Sequence, residues 1–80
     1  MEGKVIQVRL PDLGDVESVL VVAWLCPVGS DLEEGDDLVE VETEKTTFVV
    51  PAPASGTLEA IGAPEGATVR VGEVLGSIAG

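Results

Sequence analysis

The chain has no histidine and no tyrosine, a single cysteine, a single methionine at position 1, and one tryptophan and one phenylalanine as its only aromatic residues. Without histidine it lacks the side chain that most often moves protons near neutral pH, so a non-catalytic role is expected. One cysteine, Cys26, excludes an internal disulfide and makes a reducing compartment the simpler expectation. Set among Trp24, Leu25 and Val28, its thiol is expected to be buried and inert. Four basic residues stand against fifteen acidic ones, for a net charge of −11. That balance argues against nucleic acids and anionic membranes, which are bound through clustered Lys and Arg, and leaves room for a basic protein partner. The longest apolar run, VLVVAWLC from Val19 to Cys26, is far short of the roughly 20 residues that span a bilayer. The start, MEGKVIQVRLP, is broken by charge and has no apolar h-region, so no signal peptide is expected. A cytoplasmic location is the expectation.

What is present is a β pattern in a chain of 80 residues, enough for one small domain. Val, Leu, Ile and Ala supply the core, with Trp24 and Phe48 as the large fillers. Short alternating runs bounded by Gly, Pro, Asp and Ser predict strands near 4–10, 18–25, 38–43, 47–51, 57–61, 67–70 and 74–79, with a short extended piece at 31–33. Along the second strand, alternation places Trp24 on one face with Val22 and Leu20. SDLEEG matches a helix-capping box at Ser30 and Glu33, but Gly35 and Asp36 leave room for one turn at most. Gly29, Gly35, Gly56, Gly66 and Gly72 fall between strand runs, where positive φ or close backbone approach is plausible, and Pro51 and Pro53 end the strand at 47–51.

An internal repeat orders these strands. GSDLEEGDDLVEV from Gly29 resembles GATVRVGEVLGSI from Gly66 at a constant offset of 37 residues, pairing Gly29 with Gly66, Gly35 with Gly72 and Leu38 with Leu75. Two such halves bury their apolar faces against each other, which predicts an all-β flattened barrel or sandwich of two four-stranded sheets with quasi two-fold symmetry. The offset carries Lys45 to Val8 in one direction and just past Gly80 in the other. The lysine therefore falls at the pole opposite the chain ends.

The stretch EVETEKTTFVV, residues 40–50, sets that lysine between acids and threonines. A two-residue loop, Glu44-Lys45, pairs Thr43 with Thr46, Val41 with Phe48 and Val39 with Val50, gathering the apolar residues on one face and Glu40, Glu42 and Thr47 on the other. A three-residue loop mixes the faces, so the tight hairpin is expected, with Lys45 at its tip in solvent. Glu-Lys is a poor choice for a turn that favours Asn-Gly or Gly-X, which suggests selection for something besides turn stability. A solvated lysine amine is protonated at neutral pH and a weak nucleophile. It suits attachment by an enzyme that brings an activated acyl group, although an ordinary surface charge softening Glu42 and Glu44 is the plain alternative.

Taken together, PDLG from Pro11, VAWL with Trp24, VGSDLEEGDDLVEVETEKTT and VPAPASGTL with Gly56 resemble, in order and spacing, the lipoyl domains of 2-oxo acid dehydrogenase complexes, over nearly the whole chain. The resemblance implies a flattened barrel of two four-stranded sheets and lipoate in amide linkage on Lys45, placed there by a lipoate-attaching enzyme. It implies a carrier domain of a dihydrolipoyl acyltransferase. A thiamine-diphosphate-dependent 2-oxo acid decarboxylase reductively acylates the dithiolane, an acyltransferase core passes the acyl group to coenzyme A, and a dihydrolipoyl dehydrogenase restores the disulfide. It also implies that Glu42, Glu44 and Thr46 help enzymes find the hairpin, and that the loop of Gly14, Asp15 and Val16 lies beside the lysine and helps the decarboxylase recognise its carrier. Many members have Asp before and Ala after the lysine, where Glu44 and Thr46 stand here, and a second glycine after Gly14, where Asp15 and Val16 follow.

Four other readings compete. Biotinyl domains share the fold but flank their lysine with methionines, which this chain lacks there. The glycine-cleavage carrier is longer and has helical additions. An unmodified structural or adaptor barrel requires only that Lys45 stay bare. The pairs Glu33-Glu34 and Asp36-Asp37 could bind a divalent cation, but they lack the alternating ligands of a calcium loop and read as a solvated acidic turn.

Overall fold

The computed structural model describes residues 4–12, 14 and 16–80. Eight strands follow in order: β1 (Val5–Arg9), β2 (Ser18–Trp24), β3 (Asp31–Leu32), β4 (Asp37–Glu42), β5 (Thr47–Pro51), β6 (Gly56–Ile61), β7 (Thr68–Arg70) and β8 (Val74–Ala79). They form two antiparallel four-stranded sheets, β1-β8-β6-β3 and β5-β4-β2-β7. Neither sheet closes on itself, so the molecule is the expected flattened barrel-sandwich. Among the described residues there is no helix. At SDLEEG the capping box is not used: Asp31 and Leu32 extend as β3, and the Glu33 N–H donates to Asp36 Oδ2 at 2.9 Å within a turn.

Between the sheets lies an aliphatic core in which Leu38, Val39, Val41, Leu58, Leu75 and Ile78 are wholly buried. Each such side chain contributes about 1.5–3 kcal/mol by leaving water. The register of β4 on β5 is that of the two-residue loop, with Val39 opposite Val50, Val41 opposite Phe48 and Glu42 opposite Thr47. Directly opposed residues share a face, so Val39, Val41 and Val50 point inward while Glu42 and Thr47 point out.

Strand β2 departs from simple alternation. Val21 opposes Val41 but Ala23 opposes Glu40, which makes Val22 an inserted bulge residue. Trp24 then opposes Val39 and joins Val19 and Val21 on the inner face; Leu20 and Val22, its expected face-mates, point to solvent. The indole packs half-buried against the core, and its Nε1–H donates to the Ala63 carbonyl at 2.7 Å. A Cβ added at Gly76 would stand 2.6 Å from Ala60 O and 3.1 Å from Trp24 Cη2, so the absence of a side chain there makes room for the ring.

Two-fold symmetry extends well beyond the sequence repeat. The bulge at Val22 recurs at Glu59, where Leu58 opposes Ile78 but Ala60 opposes Ser77. Paired turn bonds repeat at the same offset: Leu25 N–H to Leu38 O with Gly62 N–H to Leu75 O, and Ser30 N–H to Pro27 O with Ala67 N–H to Pro64 O. The five glycines singled out from sequence all have positive φ, although Gly56 stands at the first position of β6 rather than between strands. The bond from Thr43 N–H to Thr46 O, 2.8 Å, has as its mate that from Gly80 N–H to Lys4 O, 2.7 Å. The Lys45 hairpin and the junction of Lys4 with Gly80 are thus equivalent points at opposite poles.

Candidate functional site

Strands β4 and β5, anchored by their inward valines, carry Glu44 and Lys45 out into solvent at the hairpin tip, where both are exposed. No non-glycine residue among those described has positive φ, so this turn avoids the backbone that Asn-Gly loops require. Thr43 supplies the substitute. Its Oγ1 accepts from Lys45 N–H at 3.2 Å and Thr46 N–H at 3.1 Å, and donates to Thr46 O at 3.0 Å. A side-chain oxygen closes the loop where a main-chain carbonyl would otherwise accept from Thr46, which is why Glu-Lys is tolerated there. Sequence reasoning passed over Thr43; the available signal was a threonine two residues before the tip, the position from which a hydroxyl reaches back into a turn.

Beside the tip opens a cleft of about 350 Å³ lined by Val16, Glu17, Ser18, Thr43, Glu44 and Lys45. Val16 also packs against the core, so the wall beside the lysine is tied to the sandwich. The structure therefore brings together Lys45, Glu44 and Val16 from the expected set. Thr46 is held through Thr43. Glu42 lies on the outer sheet face opposite Thr47. Gly14 is exposed with φ of 90°, its N–H donating to Asp12 Oδ1 at 2.9 Å, and it does not contribute to the described lining of the cleft. Asp15 lies outside the described residues.

Elsewhere the surface offers less chemistry. Cys26 is half-buried rather than fully buried, packed on the core with its thiol 3.8 Å from Asp37 O. Among the described residues no group of three or more His, Cys, Asp or Glu is placed to hold a metal ion. No described helix is long and apolar enough to cross a membrane.

The structure thus places an exposed lysine at the tip of a hairpin, at one pole of a two-fold β sandwich. Residues 6–78 match the family model described as "Biotin-requiring enzyme", and the chain belongs to this biotinyl/lipoyl family of carrier domains. It is 38% identical over 68 residues to the dihydrolipoyllysine-residue acetyltransferase component of the pyruvate dehydrogenase complex of Staphylococcus aureus, and equally to that of Staphylococcus epidermidis. The match takes in 84% of this chain but 16% of those proteins, so the chain spans about one sixth of the curated relatives' length. The lipoyl domain of the 2-oxoglutarate dehydrogenase complex from Azotobacter vinelandii superposes with a TM-score of 0.65 at 27% identity, covering 98% of this chain and 95% of that one. Urea carboxylase from Kluyveromyces lactis superposes at 0.80 and 24% identity over 94% of this chain and 6% of the other, a likeness of fold.

Proposed function

We propose that the chain is a lipoyl carrier domain and that Lys45 is its attachment point. The observation that carries this reading is the exposed Lys45 on a hairpin fixed by Thr43 and by the inward valines of β4 and β5. The setting suits a covalent arm: the residue stands in solvent at the edge of an open cleft, where an attaching enzyme can reach it. Amide formation removes the lysine charge, and the attached dithiolane supplies acyl- and electron-accepting chemistry. Everything else the chain does is mechanical. It holds the attachment point rigid at the pole opposite Lys4 and Gly80, so that a tethered arm is presented to several active sites at high effective concentration.

The partners proposed are a lipoate-attaching enzyme, a thiamine-diphosphate-dependent 2-oxo acid decarboxylase that loads the carrier, an acyltransferase core that unloads it, and a dihydrolipoyl dehydrogenase that reoxidises it. The relatives' names support this set. Glu42, Glu44, Thr46 and the Gly14-Asp15-Val16 loop are proposed to guide these enzymes to the tip, without taking part in bond making, and the domain to work in the cytoplasm or, in a eukaryote, the mitochondrial matrix. A biotinyl carrier is the second reading, favoured by the family description. Replacing Lys45 by Ala tests the assignment: the fold should persist, while lipoylation and acyl transfer both vanish and Lys4 stays unmodified in parent and variant. Lipoylation that survives Lys45→Ala contradicts it.

A further inference from the structure

The two-fold fold contains its own control. Equivalent outward positions on the two sheets meet the same packing demands, so a difference in their chemistry needs a cause other than folding. On the outer face of the lysine-bearing sheet, Leu20, Val22 and Val49 are 40%, 38% and 45% exposed. Their mates on the other sheet, placed by the matching registers, are Thr57, Glu59 and Gln7. Between the apolar residues stand Glu40, opposite Val49, and Glu42, opposite Leu20; their mates are Ser77 and Ala79. One face is a mosaic of apolar and acidic groups, whereas the other is mostly small and polar, with Val5 and, opposite Arg9, Val74 as its exposed aliphatic exceptions. The cation of the acidic face, Arg70, lies out on edge strand β7 beside Ser18.

We propose that this outer face, formed by Val49 on one side and Leu20 and Val22 on the other with Glu40 and Glu42 between them, docks a protein partner that presents basic side chains between apolar ones. Resting on the carrier reading for its identity, that partner is the 2-oxo acid decarboxylase that loads the Lys45 arm. Strands β4 and β5 run from the face directly into the lysine hairpin, so a protein seated here has the arm beside it. A second copy of this chain is disfavoured because contact would bring Glu40 and Glu42 against their own kind on molecules each carrying −11. An anionic bilayer is disfavoured for the same reason. Three aliphatic side chains divided by two carboxylates make a small interface of the transient kind, which suits a carrier that must leave.

The test exchanges the face for its own mate in the triple variant Leu20→Thr/Val22→Glu/Val49→Gln, which asks the fold for nothing it does not already do at the equivalent positions. Lipoylated parent and variant are offered as free domains to decarboxylases acting on pyruvate, on 2-oxoglutarate and on branched-chain 2-oxo acids. Binding of the unmodified domains to the same enzymes is measured by calorimetry. The variant should be lipoylated at the parental rate and melt at the parental temperature. With the decarboxylase that best uses the parent, its KM should rise about tenfold while kcat stays within about twofold. Glu40→Gln/Glu42→Gln should raise KM and flatten its salt dependence. Should the triple variant lose stability, Val49→Gln alone, on edge strand β5, carries the test with a smaller rise. An unchanged KM, or a parent that none of the three decarboxylases binds, overturns the proposal. A parent that binds a decarboxylase through this face but takes no lipoate on Lys45 overturns the carrier reading and upholds the surface.

Discussion

Thr43 holds the lysine turn together through three hydrogen bonds of 3.0, 3.1 and 3.2 Å from one hydroxyl, and Thr43→Val removes all three while keeping the branched shape. A net intramolecular hydrogen bond contributes about 0.5–1.5 kcal/mol, and less where water can take its place. The tip is solvated, so the freed N–H groups of Lys45 and Thr46 find water. The expected loss is therefore about 1–2 kcal/mol, not the larger cost of three buried orphans. For a domain of this size each kcal/mol lowers Tm by roughly 4–8 °C. Thermal unfolding followed by circular dichroism should show Thr43→Val melting about 5–15 °C below the parent and Thr43→Ser close to it, because serine restores the hydroxyl. Lipoylation of Thr43→Val should slow without loss of fold, since the tip no longer holds its shape. Equal melting of parent and Thr43→Val would refute the argument that this hydroxyl replaces positive-φ turn residues.

Two further perturbations probe the scaffold. Gly76→Ala forces a methyl to within 2.6 Å of Ala60 O and 3.1 Å of the Trp24 ring, and should destabilise by about 1–3 kcal/mol in urea unfolding. Trp24→Phe deletes the donor to the buried Ala63 carbonyl; the orphaned acceptor alone should cost about 1–3 kcal/mol in urea unfolding, with lipoylation of Lys45 unaffected.

Much of this fold is legible in the chain because a side-chain period of two ties face to register. The apolar sets Val39, Val41, Val50 and Phe48 agree on only one loop length, and that register is the one observed. The 37-residue offset likewise made two-fold symmetry visible through two glycine pairs, Gly29 with Gly66 and Gly35 with Gly72, and all four adopt positive φ. An inserted residue leaves no such trace. Nothing in VLVVAW marks Val22 as the bulge, so alternation sends Trp24 to the wrong face and hides Leu20 and Val22 as surface residues. The Ser30–Glu33 capping signal was overridden by the pairing of Asp31 and Leu32 with Thr57 and Gly56, since isolated helical turns contribute little against a sheet. At the tip, Lys45 was readable as the apex, but the hydroxyl that builds the apex was not, because Thr43 reads equally well as the last residue of a strand.

The sharpest test of a single presented amine is the mass of the peptide containing Lys45, from protein made in a host able to attach both lipoate and biotin. A lipoyl amide on Lys45, with Lys4 unmodified, is the result predicted. A bare Lys45, or a biotin in its place, contradicts the lipoyl carrier.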